Sequence, residues 1–102
     1  MDRSLTTNAM GEASVRLPGH VVYRSFEAET ILLNLGTGEY HGLNPSAARM
    51  FGLLCETGSV REAIHRAAHE FDQPIDVIGH DMTELCAELA ARDLIEVDGG
   101  SS

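Results

Sequence analysis

The stretch "LLNLGTGEYHGLNPSAARMF", residues 32–51, constrains this chain more than any other, because it sets three element boundaries in close succession. An aliphatic run ends at Gly36, and Gly36 and Gly38 both tolerate the positive φ of a tight turn. A short strand over 39–43 follows. Asn44 then offers a side-chain N-cap and Pro45 a preformed first helical residue, so a helix from 45 to about 56 begins where that strand stops. Its Ala47, Met50, Phe51 and Leu54 fall on one side.

Upstream, "HVVYRSF" (20–26) and "TILLNL" (30–35) are rich in β-branched, aromatic and aliphatic residues, and "EAE" between them is short enough for a hairpin. If the three strands pair in chain order, 39–43 is an edge. Downstream, "TGS" (57–59) breaks the first helix. Ser59 with Glu62 gives a capping-box pattern that opens a second helix, whose inward stripe is Val60, Ile64, Ala67, Ala68 and Phe71. After "DQP" (72–74) a third helix runs from near Asp76 to about Arg92. It carries Ile78, Met82, Leu85 and Leu89 inward, with Gly79 a weak point in its first turn, and "LIEV" (94–97) closes the fold. The expected architecture is α+β and winged-helix-like, a three-stranded antiparallel sheet followed by three helices. The domain is expected over 16–97, with flexible polar stretches at 1–15 and 98–102.

Charge narrows the function classes. Sixteen acids face seven arginines and no lysine, a formal net charge of −9, which argues against a protein whose affinity rests on neutralising nucleic-acid phosphates or anionic lipid. The acids crowd the C-terminal third, where the third helix carries Asp76, Asp81, Glu84 and Glu88. A DNA-reading helix of a winged-helix protein would be repelled with such a face. No run approaches the roughly 18 apolar residues of a membrane span. The opening "MDRSLTTNAMGEAS" lacks the apolar core of a signal peptide, so the expected location is cytoplasmic.

No cluster of residues suggests catalysis. Cys55 and Cys86 sit in apolar helical patterns and read as reduced, buried thiols rather than nucleophiles or a disulfide. His65 and His69 have a spacing that can share a metal, but "HRAAH" lacks a metalloprotease glutamate and reads as a solvated pair. His20, His41 and His80 have no ligand spacing, and "GTGE" lacks the Lys-Ser/Thr of a phosphate loop. Catalytic residues, metal and cofactor are therefore all expected to be absent. What remains is geometry: an open edge strand offers its amides and carbonyls to an incoming peptide strand, and the third helix can form the facing wall. That helix has an acidic margin of Asp81, Glu84 and Glu88, and an apolar margin of Cys86 and Ala90; either can face a peptide.

The segments "LLNLGTGEYHGLNPSAARMFGLL" and "DVIGHDMTELCAELAARDLIE", with the Thr-Gly-Ser break between them, resemble the PqqD-like family over residues 18–97. These are the leader-recognition elements of ribosomally made, modified peptides. The wording of 32–44 is most like stand-alone versions from lasso-peptide systems, with the quinone-cofactor branch close behind. The resemblance implies a non-enzymatic, winged-helix-like domain that takes a precursor's leader segment as an added strand and presents it to a modifying enzyme or leader protease. Carried onto this chain, it implies a binding wall of Glu39, Tyr40, His41, Gly42 and Leu43. The facing wall would draw on Asp81, Met82, Glu84, Leu85, Cys86 and Leu89, with Asp81 or Glu84 pairing with a basic leader residue.

Two alternatives stand beside that expectation: a winged-helix regulator or protein-interaction adaptor without a peptide substrate, and a small metalloprotein built on His65 and His69. The expected partners are a leader peptide and its enzyme, with no nucleic acid and no membrane. An open edge also allows weak self-pairing, so the expected state is a monomer or weak homodimer.

Overall fold

A computed structural model describes residues 13–98. The elements in chain order are β1 (Ser14–Arg16), β2 (Val21–Ser25), β3 (Thr30–Asn34), β4 (Tyr40–Leu43), α1 (Pro45–Thr57), α2 (Val60–Phe71), α3 (Ile75–Ala91) and β5 (Glu96–Asp98). Strands β2, β3 and β4 form an antiparallel sheet in chain order, so the three-strand, three-helix α+β architecture expected from the sequence is present.

The sequence did not anticipate β1. It pairs antiparallel with β5, placing Val15 opposite Val97, and Arg16 forms an ion pair with Glu96. On its other side the Val15 amide donates to the Gly58 carbonyl, and the Val60 amide donates to Ala13. Ala13 and Val15 are buried, so the ordered fold begins ahead of the boundary at 16, and Asp98 belongs to β5 rather than to the tail. A three-residue strand is too short for period-two alternation to reveal. The rest of the stretches expected to be flexible, 1–12 and 99–102, lies outside the described residues.

Asn34 builds the turn between β3 and β4. Its side chain is buried, and Oδ1 accepts the amides of Gly36 and Thr37 at 2.8 and 3.2 Å. Of the two turn glycines only Gly38 takes positive φ, at 80°. Asn44 caps α1 by accepting the Ala47 amide at 2.9 Å, with Pro45 at the first helical position. Gly58, at φ 70°, ends that helix in a left-handed cap. Ser59 caps α2 through the Glu62 amide, but the reciprocal half of the expected capping box is replaced: Thr57 Oγ1 accepts the Ser59 amide, while the Glu62 carboxylate reaches Arg66. Helix α3 runs unbroken through Gly79, where Ile64 of α2 packs close to the backbone.

One core lies between the inner face of the sheet and the helices. Leu32, Phe51, Leu53, Leu54, Val60, Met82, Cys86 and Leu89 are fully buried. Each large aliphatic or aromatic side chain buried this way contributes roughly 1.5–3 kcal/mol. Tyr23 of β2 meets Phe51 of α1 edge to face, with ring centroids 5.3 Å apart, which seats the sheet on the helix. On α2 the buried residues are Val60, Ala63 and Ala67, while Ile64, Ala68 and Phe71 pack at the margin. Cys55 corrects an expectation. It is exposed, because it follows Leu54 on α1 and so points about 100° away from the buried side.

Candidate functional site

Among the described residues, β4 is an edge of its sheet, paired with β3 alone. The phase of its hydrogen bonds decides which groups are free. The Asn34 amide donates to the Glu39 carbonyl at 2.9 Å, and the register continues Leu33 to Tyr40, Leu32 to His41, Ile31 to Gly42 and Thr30 to Leu43. Bonded and non-bonded pairs alternate in an antiparallel ladder, so His41 and Leu43 bond inward to β3. The N–H and C=O groups of Tyr40 and Gly42 therefore point to the open edge. Glu39 lies just before the strand, in the turn.

Side chains alternate across β4 as well. His41 and Leu43 face the helices, Leu43 being buried and His41 half-buried, whereas Tyr40 stands 74% exposed on the outer face. His41 reaches α3, its Nε2 lying 3.5 Å from Glu88 Oε2. Glu88 is also approached by Arg92 at 3.8 Å. Asn34, Glu39, Tyr40, His41, Arg92 and Leu94 line a small cleft here of about 10 Å³, room for roughly one water.

The α3 residues expected on the facing wall separate into two groups. Met82, Cys86 and Leu89 have no exposed surface and belong to the core, and Leu85 is 7% exposed. The same burial pushes the Cys86 thiol up to about 11, which leaves it unsuited to act as a nucleophile. Asp81 and Glu84 are exposed on the same helical stripe as Glu88, two turns and one turn before it. Glu84 is engaged by His80 at 3.3 Å, whereas Asp81 pairs with no cation among the described residues. The exposed wall is thus acidic, not apolar. Sequence reasoning placed Glu88 on the acidic margin but did not foresee its contact with His41, for which residues 47 apart in the chain gave no signal. His65 and His69 are exposed on the outer side of α2, and no three potential metal ligands converge among the described residues. No helix among them is long and apolar enough to cross a membrane.

An open edge strand beside a charged helix, on a winged-helix-like α+β frame, is a geometry able to accept an added peptide strand. The chain belongs to the PqqD family: the family model "Coenzyme PQQ synthesis protein D (PqqD)" matches residues 29–95. It is similar to the structure "TbiB1 in Complex with the TbiA(beta) Leader Peptide", with 27% identity and a TM-score of 0.74, covering 79% of this chain and 94% of that one. A second structure, "Lasso peptide synthetase B1 complexed with the leader peptide", shares the fold at 20% identity and a TM-score of 0.74, covering 81% of this chain and 98% of that one. No curated protein sequence matches the chain significantly.

Proposed function

We propose that this protein binds the leader segment of a ribosomally made precursor peptide by adding it as a strand to β4, and presents it to a modifying enzyme or leader protease. The observation that carries this reading is the outward pair of backbone groups on Tyr40 and Gly42, in a fold shared with proteins whose structures contain leader peptides. Backbone bonds from those two residues would supply affinity, and alternate leader side chains would meet Tyr40 on the outer face and His41 on the inner. Asp81, which has no cation beside it among the described residues, is the natural contact for a basic leader residue. Met82, Leu85, Cys86 and Leu89 support this wall from the core and would touch a peptide only after rearrangement.

The protein performs no chemistry in this scheme and needs no cofactor. By holding the leader it raises the effective concentration of the attached core segment at the enzyme that modifies it. Binding by a few backbone bonds and anchors corresponds to about −8 to −10 kcal/mol, a mid-nanomolar to micromolar Kd. The exposed acids along α3 disfavour the DNA-binding alternative. The test is fluorescence anisotropy with a labelled synthetic leader from a precursor encoded beside this gene: saturable, sequence-dependent binding is expected. Absence of binding at high micromolar protein, to any leader encoded nearby, would contradict the reading.

A further inference from the structure

The outer face of the sheet carries an exposed apolar surface separate from the β4 edge. Since Val21, Thr30 and Leu32 point into the core, Val22, Arg24, Ile31, Leu33 and Tyr40 point out, and Phe26 extends the surface at the hairpin end. Val22, Phe26 and Tyr40 are 42%, 61% and 74% exposed. Two charges flank it. Arg24 stands on β2 in the cross-strand row Arg24, Ile31, Gly42. At the other end of the row the Glu29 carboxylate lies over β4, its Oε2 only 3.6 Å from where a Cβ on Gly42 would be. Neither Arg24 nor Glu29 has an ion-pair partner among the described residues.

This arrangement is self-complementary. A two-fold axis parallel to β3, lying between two stacked sheets, sets β2 of one copy over β4 of the other without shifting position along the strands. Arg24 then meets Glu29 of the second copy, twice, and Val22 meets Tyr40, with Ile31 and Leu33 on the axis. We propose that this face joins two copies of the chain, sheet on sheet. Three strands about 4.8 Å apart and five residues long cover roughly 250 Å² per copy. That is far below the roughly 800 Å² per partner of a stable complex, so the dimer is weak and concentration-dependent. Strand addition at β4 uses groups in the plane of the sheet, whereas this contact uses the perpendicular direction, so both copies keep an open edge.

Sedimentation of the full chain over about 10–500 µM, in about 0.15 M salt to screen the net negative charge, reads the association directly. The average mass should rise towards that of a dimer. Arg24→Glu and Glu29→Arg should each weaken association at least about tenfold, while an equimolar mixture of the two variants should regain it, because opposite charges then meet at both contacts. The mixture also controls for folding, since misfolded variants could not restore the contact. A wild-type chain that stays monomeric over the whole range, or variants whose mixture associates no better than either alone, would overturn the proposal.

Discussion

His41 Nε2 lies 3.5 Å from Glu88 Oε2, joining the inner face of β4 to α3 beside the edge proposed to receive the leader. The contact is side chain to side chain, with the Glu88 side chain 51% exposed, so its worth to folding is at most about 1 kcal/mol.

If the pair acts as a latch, removing either member frees the cleft. His41→Gln and Glu88→Gln should each leave stability within about 1 kcal/mol of wild type and tighten leader binding up to about fivefold. The double variant should gain no more than either single one, since both remove the same contact. Calorimetric titration of the four proteins checks this, and strictly additive gains would show that the residues act separately.

Proline substitution distinguishes the two kinds of β4 position. Tyr40→Pro removes an outward N–H, so it should weaken leader binding at least about tenfold while the domain stays folded. Leu43→Pro removes an N–H bonded to β3 and alters a buried side chain, so it should unfold the domain instead. Circular dichroism with a binding assay separates the two results.

Asp81→Asn should weaken a leader carrying a basic residue several-fold, and the loss should shrink as salt rises, as for any exposed charge pair. A leader with that residue neutralised should bind wild type and variant alike. Glu84→Asn should have the smaller effect, because Glu84 already has His80 beside it.

The clasp between α1 and α2 makes a small, acid-sensitive contribution to stability. Arg49 Nε and a terminal guanidinium nitrogen donate to Glu70 at 2.7 and 2.9 Å, and these bonds hold the Glu70 carboxyl below its ordinary value of 4.5. A carboxyl depressed on folding stabilises the fold above its unfolded pKa, and the benefit is lost as pH falls through the lower, folded value. Wild type should therefore exceed Glu70→Gln in stability at neutral pH. The difference should vanish below the folded pKa, as urea unfolding at a series of pH values would reveal.

Much of this fold was legible because its punctuation is local. Asn44, Pro45, Gly58 and Ser59 each act within one turn of the chain, and each does so as the residue type requires. The features that escaped depend on distant partners. β1 is held by β5, some eighty residues later, on one side and by the Gly58 to Val60 stretch on the other, and Thr57 displaces Glu62 from the Ser59 amide. Asn34 is the one polar residue of the run Ile31 to Leu35, and its side-chain Oδ1 organises the turn through amides that only the folded loop brings to it. At the site, the edge strand was readable from chain order. The division of α3 into an inward Met82, Leu85 and Leu89 stripe and an acidic Asp81, Glu84 and Glu88 margin was readable too, but which margin lies beside β4 was not, because a helical wheel shows which residues share a side but not which neighbour covers it.

Amide hydrogen exchange on isotope-labelled protein, with and without saturating leader, tests strand addition most directly. The N–H groups of Tyr40 and Gly42 should exchange freely in the unbound protein and become protected with leader bound, with chemical-shift changes centred on β4 and the Asp81 to Glu88 stripe of α3. Saturable leader binding that leaves those two amides unprotected would contradict capture at the β4 edge.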